Sequence, residues 1–327
     1  MTDVRPQSAP LEPFPCARFI KEIGRGSRGA RALSPEDTFA LYQAMLDSRV
    51  SDVELGAVLI AYRLKDETAE ELAAMLAAAQ ASFAPIVSAP GTYYRPVSIP
   101  SYNGARKQPN LVPLLALLLA REGVPVLVHG VSVDPGRVTS ADIFAELAMP
   151  AAASHADAEC DLAACRVAFM PLEALAPKLA RLLALRRVLG VRNSTHTLVK
   201  LLQPFAPLGL RLVNYTHPSY RDSLAQLFRE NPDAAAGGAL LACGTEGEAV
   251  ADPHRQVQVD WLHDGLCETL IAPKRSSPDA PPVELPESKD AATTAAWTRA
   301  ALAGKVAVPE ALARQVETIL RVARIEG

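Results

Sequence analysis

Between Ser34 and Phe83 the apolar positions follow a helical rhythm. Leu41, Met45, Leu55, Val58, Leu59, Leu72, Met75 and Leu76 recur at intervals that gather them on the buried faces of successive helices. Each helix has its own start signal. Ser34-Pro35-Glu36-Asp37 sets a capping hydroxyl before a proline at the first helical position, with acids in the first turn. Ser51-Asp52-Val53-Glu54 and Thr68-Ala69-Glu70-Glu71 both carry the capping-box spacing. The pattern predicts a small helical domain over residues 14–84.

After Pro85 the pattern becomes short apolar or β-branched runs, each ended by Gly, Pro, Asn or His and separated by helical lengths. The expected strands are Val97 to Ile99, Val124 to Val128, Val167 to Met170, Leu210 to Asn214, Ala239 to Ala242, Gln256 to Val259 and Thr269 to Ile271. Strands spaced this way imply βαβ crossovers and a largely parallel sheet. The stretch Pro177 to Leu202 is helical again and is expected to complete the helical domain, which leaves 85–176 and 203–327 for an α/β domain. The Ala/Pro-rich stretch Pro278 to Pro286 reads as a loop.

A chain of 327 residues, 49% hydrophobic and 21% charged, suits two packed domains of an ordinary globular protein. Its formal net charge of -3 gives no global reason to expect a polyanion partner. Five cysteines, Cys16, Cys160, Cys165, Cys243 and Cys267, form no CxxC pair, which fits a reduced compartment and an expected cytoplasmic location. Met1 to Pro15 lacks the basic start and apolar run of a signal peptide. The longest apolar stretch, Leu111 to Ala120, is far short of the roughly 20 residues that cross a bilayer. No membrane partner is expected.

In a parallel α/β sheet ligands gather where strands end, so the turns after the strands are where chemistry is sought. Four such turns are distinctive: Ser101-Tyr102-Asn103-Gly104-Ala105-Arg106-Lys107; Val128-His129-Gly130 with the downstream Gly136 to Asp142; Leu189-Gly190-Val191-Arg192-Asn193-Ser194; and Gly244-Thr245-Glu246-Gly247-Glu248. In this order, after a helical start, they resemble the anthranilate phosphoribosyltransferase family, which shares its glycosyltransferase family 3 fold with pyrimidine nucleoside phosphorylases. The family's loops read GTGGD, KHGNR with a downstream GSAD, LGxRT and GxDGLDE. Here His129-Gly130, Ser140-Ala141-Asp142, Leu189-Gly190, Arg192, Gly244 and Gly247 stand in matching places. The resemblance covers nearly the whole chain and implies an α/β fold with a helical N-terminal domain.

The departures bear on function. The GTGGD glycines let backbone wrap a pyrophosphate; only Gly104 remains among Tyr102, Asn103, Arg106 and Lys107. Val128, Val131 and Ser132 replace the basic and amide residues of KHGNR. By register from Gly247, the paired carboxylates that hold Mg²⁺ in the family fall on Ala249 and Val250, which offer no oxygen ligand, although Glu246 and Glu248 lie nearby. The expected set is therefore no catalytic residue, no metal ligand and no cofactor, with Asn103, Gly104, His129, Gly130 and Glu246 lining a vestigial cleft. Mg²⁺ is expected only if the chain transfers a phosphoribosyl or other glycosyl group to a different acceptor, with Asn103, Gly104 and Arg106 on phosphate.

Positive charge is concentrated in three segments. Cys16 to Arg31 holds Arg18, Lys21, Arg25, Arg28 and Arg31 against Glu22, with glycines interleaved. Lys178 to Lys200 holds Lys178, Arg181, Arg186, Arg187, Arg192 and Lys200 with no acid, and Ser101 to Arg121 adds Arg106, Lys107 and Arg121. Such segments can follow a phosphate backbone without reading sequence. With IKEIGRGSRGARALS and LGVRNSTHTLVKLL the chain resembles the YbiB-type branch of the family, which implies a homodimer that binds nucleic acid, DNA or RNA, single-stranded or double-stranded, without the ancestral transfer. The candidate contacts are Lys21, Arg25, Arg28, Arg31, Arg106, Lys107, Arg192 and Lys200. The bland alternatives stay open: Lys178, Arg181, Arg186 and Arg187 share no single helical stripe, Lys21 to Arg31 has a second reading as a salt-bridged entry to the first helix, and His129 reads as a satisfied strand-end residue in preference to a general base. A noncatalytic small-molecule sensor using the old cleft is a third reading.

Overall fold

The computed structural model describes residues 12–26, 28–88, 93–274 and 283–325. The readings of residues 1–11 and of the loop positions 278–282 lie outside the described residues.

The N-terminal unit consists of α1 (Ala17–Ile23), α2 (Pro35–Leu46), α3 (Asp52–Lys65) and α4 (Ala69–Gln80). The start signals work as their spacing implies. Ser34 Oγ accepts from the Asp37 N–H at 3.1 Å, and Ser51 with Glu54 and Thr68 with Glu71 form reciprocal capping boxes. Glu71 is fully buried and has further partners: its Oε1 accepts from the Leu33 N–H at 2.9 Å, and its Oε2 from the Lys65 ammonium at 2.5 Å. One carboxylate thus fastens the basic segment before α2 to the turn between α3 and α4.

The rest of the chain runs β1 (Ile86–Val87), β2 (Val97–Ser101), α5 (Val112–Arg121), β3 (Val126–Gly130), α6 (Ser140–Glu146), α7 (His155–Cys165), β4 (Val167–Pro171) and α8 (Leu172–Leu175). Then come α9 (Pro177–Ala184), α10 (Arg186–Leu189), α11 (Thr195–Leu198), β5 (Phe205–Ala206), β6 (Leu210–Tyr215), α12 (Pro218–Glu230), α13 (Pro232–Ala235) and β7 (Ala239–Cys243). The chain finishes with β8 (Val259–His263), β9 (Leu266–Ile271), α14 (Ala291–Leu302) and α15 (Glu310–Ala323).

Seven strands make one sheet in the order β4-β3-β2-β6-β7-β8-β9, parallel as far as β7 and antiparallel at β8 and β9. All seven expected strands exist, and two are displaced. The ladder of β3 starts at Val126 because the Val124 N–H closes the turn after α5 on Leu119 O and Pro125 has no N–H to donate. The strand expected at Gln256 to Val259 lies at Val259–His263, joined to β9 by Asp264-Gly265 with φ of 48° and 75°. Asp-Gly is a two-residue hairpin signal, and it specifies the antiparallel edge.

Every residue of β2 and β3 is buried, as strands covered on both faces must be. On one face Leu127, Met170, Val213 and Leu241 share a continuous core with Tyr42, Leu59 and Met75 of the helical unit. On the other, Val97, Ile99, Val128 and Leu240 pack on α5 and α15. Helices α9 and α11 pack on α2 and α4, and Tyr42 Oη lies 2.9 Å from Thr195 Oγ1. The short parallel pair β1–β5 ties the crossing between the two units. Among the described residues no helix is long and apolar enough to cross a membrane.

Candidate functional site

From β2 the chain moves outward through β3 to β4, then returns to place β6 on the other side of β2. Loops leaving β2 and β6 therefore diverge, and an α/β sheet has its crevice at such a switch point. The opening is visible in the register. β2 and β6 pair only at Val97 with Leu210 and Ser98 with Arg211, so their carboxyl ends spread apart.

The loop after β2 fills the crevice floor. Asn103 is its hub: Nδ2 donates to Gly247 O at 2.6 Å, Oδ1 accepts from Arg192 at 3.0 Å, and its carbonyl accepts from Arg137 at 3.2 Å. Asn214, at the end of β6, donates to the same Gly247 O at 2.5 Å, and the Lys200 ammonium does so at 3.2 Å. Gly247 permits this crowding, because a Cβ there would sit 2.1 Å from Asn103 Nδ2 and its φ is +90°. Gly104, at φ +67°, lies so close to Val138 O that a Cβ would approach it to 2.7 Å.

The backbone N–H groups of this loop have carboxylate partners. Those of Asn103 and Gly104 both donate to Glu248 Oε1 at 2.6 Å. Those of Arg106 and Lys107 donate to Glu246 at 2.6 and 3.0 Å, with Gln108 N at 3.5 Å. Burial pushes the Glu246 carboxyl up, but hydrogen bonds from Lys107, Arg106 and Gln108 and the Arg137 charge outweigh it and hold the group below the usual carboxylate range.

His129 is buried rather than open to the cleft. Its Nδ1 lies 2.8 Å from Tyr102 Oη and its Nε2 3.1 Å from Ser98 Oγ, so both ring nitrogens are engaged. Burial drives its pKa down to about 3, which keeps the ring neutral at physiological pH. Gly130 is equally closed in, since a Cβ would fall 1.7 Å from Ser101 O.

The cations divide according to what lies opposite them. Lys178 pairs with Asp47 at 2.5 Å, and Arg181 donates to the Met45 and Leu46 carbonyls at the end of α2, so both hold the helical unit together. Lys200 points inward to Gly247 O. Burial is the main cause that brings its pKa down to about 8; Glu248 opposes the shift, and Arg192 and Arg137 add to it. Of the candidate contacts, Lys200 thus has its ammonium on a floor carbonyl. Arg192 lies at the cleft mouth, and burial together with the charges of Arg186, Arg137 and Arg63 presses its pKa below the ordinary guanidinium value. Arg63, Arg137, Arg186 and Arg192 form no ion pair among the described residues. The exposed Arg106 and Lys107 belong to the adjoining loop, and Lys289 reaches the Arg106 carbonyl.

Lys21, Arg25, Arg28 and Arg31 are all exposed, with Arg25 paired to Glu22 at 2.7 Å. This segment is joined to the mouth through the α3–α4 turn, where Glu71 holds Leu33 and Glu67 accepts from Ser194 Oγ two residues beyond Arg192. Arg63, Arg137 and Lys289 lie outside the sequence expectation. Arg63 sits in the last turn of α3 as an ordinary helix C-terminal cation, and Arg137 and Lys289 are isolated in sequence.

Ala249 and Val250 are buried in the core on the α5 and α15 face of the sheet. A hard divalent ion would find no oxygen donor in either side chain. A mainly apolar cavity of about 600 Å³ lies between β7 and α15, lined in part by Leu212, Val250, Ile271 and Thr318, on the side of the sheet facing away from the helical unit.

Residues 17–83 match the helical bundle domain of the glycosyl transferase family. The chain is 42% identical to the protein YbiB of Escherichia coli (strain K12) over 305 residues, 93% of this chain and 92% of that protein. It is 29% identical to the anthranilate phosphoribosyltransferase of Desulfitobacterium hafniense (strain Y51) over 216 residues, 66% of this chain and 62% of that enzyme. The fold is that of anthranilate phosphoribosyltransferase from Thermus thermophilus, with a TM-score of 0.70 at 22% identity over 93% of this chain and 88% of that one. The Saccharomyces cerevisiae enzyme in complex with PRPP and Mg superposes with a TM-score of 0.71 at 14% identity over 94% of this chain and 88% of that one. With its helical bundle, largely parallel sheet and near full-length likeness to YbiB, the chain belongs to the YbiB-type, anthranilate phosphoribosyltransferase-like proteins of glycosyltransferase family 3.

Proposed function

We propose that this protein binds DNA or RNA through phosphate contacts, without sequence preference and without phosphoribosyl transfer, as a homodimer in the cytoplasm. The observation that carries the reading is the group of like charges at the cleft mouth. Arg192 feels the charges of Arg186, Arg137 and Arg63, none of the four is in an ion pair among the described residues, and of the four only Arg137 also acts on a nearby carboxylate, Glu246. Clustered guanidinium groups repel one another, and a polyanion relieves that repulsion while releasing its counterions.

The mouth also joins segments that are far apart in the chain. Arg106 and Lys107 continue it along the loop after β2, while the α3–α4 turn links it to the exposed segment with Arg28 and Arg31. Arg supplies planar forks to phosphate oxygens. The proposed contacts read backbone and not base edges.

Loss of transfer is supported by the residues themselves. Ala249 and Val250 are buried aliphatic side chains, and the loop amides already have acceptors within the chain. Titration of an unrelated single-stranded oligonucleotide, followed by fluorescence anisotropy across a salt series, tests the binding. Log Kd is expected to rise linearly with log salt, with a slope of about 0.7 per phosphate contacted. Weak binding at low salt, or affinity indifferent to salt, overturns the proposal.

A further inference from the structure

On the face of the sheet turned away from the helical unit, the register sets Leu212 opposite Leu240, and places Asn214, Ala242, Val259 and Ile271 in one row across four strands. Alternation along each strand turns these side chains to the same side, and all six line the cavity beside β7. The helix above them does not fill the space. In α15 the buried apolar residues Leu312, Val316, Ile319 and Ala323 share one face, and the helix packs on α5. Its flank along the cavity carries Ala311, Arg314, Gln315 and Thr318, with no large apolar side chain to reach the sheet. About 600 Å³ is left between them. We propose that this cavity is a binding site for a small aliphatic acid, with the chain against the sheet and the carboxylate beside Gln256. The proposal does not rest on nucleic-acid binding.

Three observations define the ligand. First, the volume falls within the range of small-molecule sites, roughly 300 to 1,000 Å³, and the apolar part of the wall is Leu, Val, Ile, Ala and Pro, with no Phe, Tyr or Trp among the described lining residues. An aliphatic wall without a ring to stack on suits a flexible chain better than an aromatic system. Second, cations converge at one place on the edge. Arg255 adjoins Gln256, the Lys274 N–H donates to Gln256 O at 3.0 Å, and Arg314 donates to Gln256 Oε1. Asp252 takes Arg255 Nε at 2.8 Å and Glu310 takes Arg314 at 2.5 Å, while Lys274 is in no ion pair among the described residues. Arg255 Nη2 has the Cys243 thiol at 3.7 Å. Third, the polar groups of α15 on this wall already serve the chain: Gln315 bonds the Ala251 N–H and Ala249 O, and Thr318 Oγ1 donates to Arg314 O. Asn214 Oδ1, by contrast, is buried without a hydrogen-bond partner among the described residues, at the same carboxyl end of the strands as Cys243. The cavity is thus polar at that end and aliphatic along the rest, which is the profile of an amphipathic ligand. Among the described residues its lining takes nothing from the loop after β2 or from the arginines of the cleft mouth.

The test is calorimetry of decanoate with the full chain, with decylamine as a chain of the same length under the opposite charge. Decanoate is expected to bind once per chain with a Kd on the order of 10 μM, and decylamine at least about tenfold more weakly. Ala311→Phe and, separately, Ala242→Leu fill the cavity from its two walls, with folding of each checked by thermal denaturation. Either is expected to weaken decanoate binding by at least about tenfold, and Lys274→Glu, at an exposed position on the edge, by about fivefold. Cys243 locates the ligand, because it lines the cavity: decanoate should slow its alkylation, followed by peptide mass spectrometry, and leave the exposed Cys160, Cys165 and Cys267 unaffected. Absence of saturable heat, or a folded filling variant that binds decanoate like wild type, overturns the site. Equal affinity for decylamine, or no loss in Lys274→Glu, overturns the acid as its ligand. Oligonucleotide affinity enters none of these readouts, so failure here and failure of the proposed function are distinguishable.

Discussion

At the floor of the cleft Glu246 and Glu248 face a row of N–H groups, and the Lys200 ammonium rests on a carbonyl, with these bonds spanning 2.6 to 3.2 Å. At the adjoining mouth, Arg192 feels the charges of Arg186, Arg137 and Arg63. The two regions both hold charged side chains and treat charge in opposite ways. On the floor, fixed internal partners replace water, and polar groups buried in this way add rigidity only while all are satisfied. At the mouth, Arg63, Arg186 and Arg192 are exposed and in no ion pair among the described residues, and solvent screens their repulsion. Floor substitutions should therefore be read in stability, and mouth substitutions in affinity.

The largest expected effect is at the mouth. Replacing Arg63, Arg186 and Arg192 together by Ala is expected to weaken oligonucleotide binding by about a hundredfold at 0.1 M salt and to lower the salt slope by about 2, equally for unrelated sequences. Anisotropy titrations over a salt series measure both quantities. Thermal stability should change little, since Arg63 and Arg186 are exposed and the Arg192 bond to Asn103 is the one floor contact among the three. A large fall in the melting temperature with affinity intact would reverse the roles of mouth and floor.

The second effect belongs to the floor. His129 is neutral, with its pKa brought down from 6.5 to about 3 by burial. As pH falls through 6.5 the unfolded chain takes up a proton that the folded chain refuses, so this residue's contribution to stability is lost progressively between pH 6.5 and pH 3. The loss is on the order of 3 kcal/mol by pH 4. Urea unfolding across that range measures it as the difference between wild type and His129→Gln, which should be less stable near neutrality and have a flatter acid limb. Parallel acid limbs would place the titration elsewhere. The oligonucleotide slope should not differ between the two.

What the sequence made legible follows from distance along the chain. The caps at Ser34, Ser51 and Thr68 were readable because each joins residues three apart, and the strands because each run is bounded by its own Gly, Pro, Asn or His. The aliphatic character of Ala249 and Val250 is plain in the sequence, and their burial on the α5 and α15 face is not. The partners of the loop amides were not readable, since Glu246 meets Arg106 across 140 positions and no local pattern marks the pair. The basic run Lys178 to Lys200 looked uniform, yet its members separate according to what lies opposite: Asp47 and the end of α2 for Lys178 and Arg181, other arginines for Arg186 and Arg192, and a carbonyl for Lys200. The Asp264-Gly265 turn was a signal available in the sequence, and it accounts for the antiparallel edge.

Lys200 gives the smallest effect on affinity and the sharpest division between the regions, because it belongs to the basic run by sequence and to the floor by geometry. Its pKa is lowered from 10.5 to about 8, chiefly by burial. Between those values the unfolded chain carries the extra proton, so stability rises with pH through that window, with a slope on the order of 1 kcal/mol per pH unit. Lys200→Met removes the titrating group and should flatten this alkaline limb in urea titrations at pH 8 and above. At neutral pH the same variant should bind an oligonucleotide within about threefold of wild type, since the ammonium contacts Gly247 O and no outward-facing phosphate site. If affinity instead fell as far as in the Arg63, Arg186 and Arg192 variant, the polyanion would have to reach the floor. The cleft, not its rim, would then be the binding surface.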